Sequence, residues 1–489
     1  MLNAISALPK ARVFSAAPVV ATTPVTVETS PDQVQLGRDR PYIKPSPSRL
    51  KEQADRAMAV AASSAPLFGV GGLLFPDSHG KIEHLALQLG DVEFNKPLPK
   101  ETHDALMGVW DQLFTHMSPE SHFTVVCANS SGVADVQQLA QNAGLKADRV
   151  EIIDAQAQKG MSIWIRDSML PTLDEQGNTK ILIQDRTYWP GPEDNKVAEL
   201  IDKSHDNIYS QPHPALRIDG GNVVSNRNLS LVGIDSINQM RDRLHELAVE
   251  PGNYKQMLEF YEHTTGTSPA DDMDKFWADM PKLVLASEFH RPVMVVGTDD
   301  LATANVETQP AFHIDMAVTP IGDKKFLVGD PKLAIEAFQA LSPEERAKVN
   351  QEMIKAGTLK EGDDLIGRLC EVNGGADYQS NYDRVATELK EAGFEVERIP
   401  SMIGLRTTWS LPYLTYNNCM MEIYDNDKGQ TVKNVYLPQY GCQPLDDWSR
   451  RVYQENGYTV VPLQMSAVSK LEGAIRCSCY ALERDLKNS

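Results

Sequence analysis

The stretch Leu471–Asp485, LEGAIRCSCYALERD, holds the residue best suited to covalent chemistry. A glycine leads through Ala474, Ile475 and Arg476 to Cys477, and a second cysteine follows at Cys479. A cysteine beside an arginine is a candidate thiolate, because a nearby positive charge lowers the thiol pKa and the thiolate is the nucleophile. A small buried hydrophobe gives the same pattern. Three polar stretches upstream give Cys477 company. WIRDSMLP puts Asp167 near a predicted strand end, beside Trp164 and Arg166. RIDGGNVVS puts Asp219 before a double glycine. FHIDMAV puts His313 and Asp315 two apart in a predicted strand, so both side chains should leave one face. Each stretch also has a plain structural reading: a local Arg–Asp pair, an Asp-capped turn, or a paired His–Asp in the core.

Together these residues are a thiol, an imidazole and three carboxylates, a mixture that suits one electrophile. A guanidinium is planar, delocalised and cationic, so its central carbon resists attack. Two carboxylates can grip its N–H edges and hold it in register. A thiolate can then add to the carbon. A histidine can protonate the departing amine and afterwards deprotonate a water. A further carboxylate would fix the imidazole.

Short elements must carry these groups. GVGGLLFP and KIEHLALQL read as strands, ETHDALMGVWDQLFTHM as a helix, and SHFTVVCA as a strand again. MSIWIRDSMLPTLDEQGNTKILIQD, PALRIDGGNVVSNRNLSLVGI, AFHIDMAVTPIGDKKFLVGD and NNCMMEIYDNDKGQTVKNVYLPQYG each read as a strand pair. Helical text follows the last two pairs and leads into FEVERIP and YTVVPLQ. A unit of hairpin, helix and strand therefore recurs, which makes the chain α/β. Hairpin-linked strands argue against a doubly wound sheet and for a ring of small units. Charged helical text over about 236–285 interrupts the pattern as an insertion. Residues 41–65 read as an N-terminal helix and 1–40, rich in Ala, Ser, Thr, Val and Pro, as a disordered tail.

The 489 residues are 42% hydrophobic and 23% charged, enough for a substantial core. The net charge of −20 argues against a general nucleic-acid binder and permits a cationic substrate. No apolar run approaches a membrane span, so no membrane partner is expected. Six cysteines without a paired CxxC indicate neither a zinc site nor a disulfide scaffold, and suggest a reducing, cytoplasmic compartment. The acid-poor start leaves organelle import or secretion open. Self-association is left open too.

In their order along the chain these motifs resemble the guanidino-group-modifying superfamily, the pentein fold. WIRD looks like the first substrate-carboxylate motif of agmatine and peptidyl-arginine deiminases. DGGNVV resembles the E/D-G-G segment that supplies the histidine's partner. FHIDMAVTPIGDKKFLVGDP is similar to the H-x-D hairpin of deiminases and amidinotransferases, and GAIRCSCYALERD to the ending that bears the nucleophile. NNCMMEIY with NVYLPQYG resembles the penultimate hairpin. The similarity covers roughly residues 66–485, the helical insertion aside. It implies a five-bladed, pseudosymmetric α/β propeller with a central site and no cofactor or metal. It implies Cys477 as nucleophile, His313 as general acid then base, Asp219 as its orienting partner, and Asp167 and Asp315 as the guanidinium clamp, with Trp164 beside them. Cys479 departs from the pattern, as a neighbour or a competitor of Cys477.

The implied activity is a deiminase-type hydrolase acting on arginine, agmatine or a peptidyl-arginine through a covalent thiouronium, leaving a ureido (citrulline-like) product. An amidinotransferase and a catalytically silent guanidinium binder are the alternatives. Free-arginine deiminases carry a basic residue five positions before the nucleophile, where this chain has Glu472. That favours a substrate whose far end is cationic or uncharged, unless Arg217 or Arg406 compensates.

Overall fold

The computed structural model describes residues 51, 54–58, 68, 71–93, 96–185, 193–298, 309–357, 359, 361–362, 364–374, 376–404 and 412–487. The expected tail over 1–40 lies outside them, and of the expected helix over 41–65 only residues 51 and 54–58 are described, as helical. Every element below belongs to one compact unit, residues 45–489.

Its strands form five sheets of three or four strands, beside a two-stranded ribbon of Val92–Glu93 and Lys96–Pro97. One pattern recurs in the sheets. Met169–Leu173 and Thr179–Ile183 pair antiparallel; the helix Lys196–Ser204 then returns the chain as Ile208–Pro212, parallel to the second strand. The same order builds Val223–Ser225, Ser230–Gly233 and Val293–Val296. It builds Val318–Pro320, Lys325–Asp330 and Glu395–Pro400, and also Met420–Asp425, Thr431–Gln439 and Thr459–Gln464. A parallel return needs a crossover, and helices supply it. The fifth sheet joins the two ends of the unit: Cys479–Asp485 pairs antiparallel with Lys81–Leu89, which runs parallel to His122–Cys127, followed by Val150–Asp154.

The helices are amphipathic covers. Lys100–His116 buries Leu106, Val109, Trp110, Leu113 and Phe114, the i, i+3, i+4, i+7, i+8 stripe of one helix face. That stripe shares a core with Phe123 and Val125 of the fifth sheet, and each such side chain contributes about 1.5–3 kcal/mol on burial. Three helices, Ile234–Leu247, Pro251–Thr265 and Met273–Phe289, occupy the stretch read as an insertion. They stand between Ser230–Gly233 and Val293–Val296, so they form the second sheet's crossover. Met240, Leu244, Met257, Phe260, Phe276 and Met280 give this group its own core. The third crossover is also long: Pro331–Gln339, Pro343–Lys355, Leu365–Asn373 and Ala376–Glu391. Among the described residues no helix is long and apolar enough to cross a membrane.

Candidate active site

Each hairpin is entered from a tight turn, and the candidate residues sit on those turns. Asp167 lies in the turn Ile165–Ser168 before Met169. Asp219 caps the turn Gly220–Asn222 before Val223. His313 caps the turn Ile314–Met316 that holds Asp315, just ahead of Val318. Asn417 and Asn418 precede the strand at Met420, and Cys477 precedes the strand at Cys479. The expectation that His313 and Asp315 share one face of a strand is therefore corrected. A tight turn of about three residues sends residues two apart in different directions.

Hydrogen bonds join the five turns in cyclic order. Gln184 donates to the Asp167 carbonyl and accepts from Ile218 N at 2.8 Å. Asn222 Oδ1 accepts from Ile314 N at 3.1 Å. Thr415 Oγ1 donates to the Met316 carbonyl at 2.6 Å. Asn418 Oδ1 accepts from Arg476 N at 2.9 Å, and Arg166 N donates to the Cys477 carbonyl at 3.2 Å, which returns to the first turn.

His313 stands between two carboxylates: Nδ1 is 3.6 Å from Asp167 Oδ1 and Nε2 is 3.6 Å from Asp219 Oδ2. Burial lowers the imidazolium pKa, but Asp167, Asp219 and Asp315 outweigh it and lift the value to about 9. The ring lies against Gly221, where an added Cβ would stand 2.5 Å from His313 Nδ1. That contact explains the second glycine of the double-glycine motif.

Cys477 is 3% exposed. Its sulfur accepts from Asn418 Nδ2 at 3.1 Å and lies 3.9 Å from Asp315 Oδ2. Burial pushes the thiol well above its ordinary range, and Asp315 and Asp167 push it further. This corrects the expectation of a thiolate stabilised by its neighbouring arginine. The Arg476 guanidinium is spent elsewhere: Nη1 bonds Asp315 Oδ2 at 2.7 Å, Nη2 bonds the Val223 carbonyl at 2.7 Å, and Nε and Nη2 bond Asp77 Oδ1 at 3.1 and 2.8 Å. Asp315 is thus half engaged. Its other oxygen, Oδ1, is buried and meets no hydrogen-bond partner among the described residues.

Asp77 was not foreseen in the sequence, and it ties two of the turns together. It takes Arg166 Nη2 at 2.7 Å as well as Arg476, and accepts from Ser225 N at 2.8 Å. Burial disfavours its charge, yet the two arginines hold its carboxyl below the usual range. Its FPDSHG context gave no signal of this. Asn418 was also missed, although it precedes its strand at Met420 by two residues, as Asp167 and Cys477 precede theirs.

Trp164 is half-buried; its Nε1 donates to Glu93 Oε1 at 3.2 Å. Its ring lies on Gly473, where an added Cβ would come within 2.3 Å of it. Glu472, just before that glycine, is buried and holds a left-handed backbone with φ 69°. Cys479 is buried as well: its sulfur donates to the Ile475 carbonyl at 2.9 Å, and burial pushes its pKa to about 12. Arg217 is committed to Asp185 and Glu246, both at 2.8 Å, so it does not offset Glu472. Arg406 lies outside the described residues.

No family model matches the sequence, and no curated protein matches it. Solved structures do. A protein from Porphyromonas gingivalis assigned as an arginine deiminase is similar with a TM-score of 0.50 at 13% identity, over 85% of this chain and 98% of that one. An agmatine deiminase of C. jejuni with substrate bound is similar with a TM-score of 0.49 at 12% identity, over 84% and 96%. The inosamine-phosphate amidinotransferase of Streptomyces griseus gives 0.37 at 12% identity, over 84% and 97%. The first of these likenesses is one of fold, and it spans nearly the whole of the related chain.

Proposed function

We propose that this chain, which has the fold of the P. gingivalis protein and the ordered motifs of the guanidino-group-modifying enzymes, is a cysteine-dependent deiminase-type hydrolase. The observation that carries the reading is electrostatic. Burial, with Asp315 and Asp167, raises the pKa of the Cys477 thiol, and Asp167, Asp219 and Asp315 raise that of the His313 imidazole against burial. Groups so placed rest as a neutral thiol and an imidazolium, with Asp167 and Asp315 acting on both. A bound guanidinium supplies the positive charge that favours the thiolate, so the nucleophile forms where the electrophile already lies.

In this reading Asp167 and the open Oδ1 of Asp315 grip the guanidinium edges. Cys477 loses its proton to solvent as the cation binds, and the sulfur adds to the central carbon. His313 gives its proton to the departing nitrogen as that C–N bond breaks, which leaves a thiouronium on Cys477. The neutral imidazole then takes a proton from water, and the oxygen adds to the same carbon. The C–S bond breaks as the hydroxyl proton passes to the departing sulfur, the ureido product leaves, and Cys477 is a thiol again. Asp219 holds the imidazole ring and its charge. The five sheets of like order are the blades of a ring, and the cycle of hydrogen bonds between their entry turns supports this. Glu472 and Glu93, beside Gly473 and the Trp164 ring, favour a substrate with a cationic or uncharged far end, such as agmatine or a peptidyl arginine.

The test is a product screen with arginine, agmatine, a methylated arginine and an arginyl peptide, each with and without glycine as acceptor amine. Ureido product that disappears in Cys477→Ala is the expected result. Amidino transfer to glycine in its place would make the chain an amidinotransferase. Neither product from any of the four would sink the reading.

A further inference from the structure

Away from this site, Arg291 is the group the fold leaves unexplained. It follows His290, which ends the helix Met273–Phe289 in a left-handed conformation with φ 47°. Arg291 is 2% exposed, yet its Nε and Nη1 are buried and meet no hydrogen-bond partner among the described residues. Burial pulls its pKa down to about 10, against the attraction of Asp77 and Asp323. A buried cation without a hydrogen-bonding partner is costly to a fold and is kept where it meets a counter-charge.

Arg291 lines a cavity of about 400 Å³, within the size range of small-molecule sites. One wall is apolar, from Leu229, Met294 and Phe394. The polar wall carries a surplus positive charge. Arg227 is neutralised by Asp323, with Nε 2.9 Å from Oδ2. Lys51 and Asp55, one charge of each sign, also line the cavity. The Arg291 charge remains, in a chain whose net charge is −20.

We propose that this cavity binds a small organic anion. Its carboxylate or phosphate pairs with the Arg291 guanidinium, and its apolar body lies on Leu229, Met294 and Phe394. A guanidinium makes charge-assisted hydrogen bonds to such groups. Binding here does not depend on the reaction at Cys477.

Calorimetric titration of the full chain tests this, with phenylacetate and phenyl phosphate as probes and phenylacetamide as the uncharged control. At least one anion is expected to bind with a Kd below about 1 mM, while phenylacetamide does not bind at about 10 mM. Arg291→Met should weaken anion binding at least about tenfold, and Ala392→Phe, which fills the cavity and keeps the arginine, should do the same. Without ligand, Arg291→Met should melt no lower than the parent, because it removes a buried cation whose Nε and Nη1 have no hydrogen-bond partner among the described residues. Failure of both anions to bind, equal binding by Arg291→Met, or an Arg291→Met chain that melts lower or does not fold would each overturn the proposal. The last outcome would mean that Arg291 supports the fold and not a ligand.

Discussion

At the scale of single residues, the two groups proposed to carry the chemistry rest in forms set by their neighbours. Cys477 is held as a thiol by burial, Asp315 and Asp167. A cationic electrophile should therefore find it more reactive than a neutral one does. Chloroacetamidine is expected to alkylate Cys477 at least about tenfold faster than iodoacetamide at neutral pH; equal rates would remove the carboxylates from the account. His313 is held as an imidazolium, its pKa raised from 6.5 to about 9. The proton it donates is lost above that value, so kcat/KM should fall on the alkaline side near pH 9. Asp219→Asn removes one supporting charge and should move that limb down by about one unit or more; a limb that stays in place would count against the pairing. Stability follows the same sign. A group whose folded pKa is raised stabilises fully below its unfolded value of 6.5, and the contribution is lost as pH rises through about 9. Asp167, Asp219 and Asp315 together make this worth on the order of 3 kcal/mol, and urea melts at low and high pH in the parent and in Asp219→Asn would register the share of Asp219.

At the scale of elements, the entry turns decide the geometry, and small residues in them are spacers. Gly221 leaves room for the His313 ring. Gly221→Ala should displace the imidazole and cut kcat/KM by about 10²-fold with little change in melting temperature; a variant as active as the parent would show that the ring has slack. Asp77 binds the arginines of two turns, Arg166 and Arg476. Asp77→Asn leaves both guanidinia short of their counter-charge and should cost about 3–5 kcal/mol in a denaturant melt. A loss within about 0.5 kcal/mol would mean that the network is replaceable. The motifs WIRD, DGG and HID could be read from the sequence because each packs distinctive residue types into a few positions. Asp77 and Asn418 could not. Asp77 acts through partners 89 and 399 positions away, and Asn418 is one of two adjacent asparagines whose roles differ only in direction: Asn417 Nδ2 turns to the Leu327 carbonyl, Asn418 Nδ2 to the Cys477 sulfur.

At the scale of the whole unit, Cys477, the proposed nucleophile, lies just before the last described strand, which pairs with the long strand Lys81–Leu89. Cys479–Asp485 pairs with Lys81–Leu89, and Cys479, Tyr480, Ala481 and Leu482 are buried there. Deleting residues 479–489 should abolish cooperative unfolding, because it opens a buried sheet and exposes that apolar face; a truncated chain that melts like the parent would refute the closure. The sequence by itself determined the α/β class, the recurring hairpin, helix and strand, and the identities of the thiol, the imidazole and the three carboxylates. Periodicity and residue type are local properties and can be read along a line. Only the tertiary structure decided which charges meet. It turned Arg476 away from the thiol and onto Asp77 and Asp315, set His313 between Asp167 and Asp219, and left Arg291 facing a cavity. The charge state of a buried group is the sum of fields from partners far away in the chain, and no local pattern records that sum.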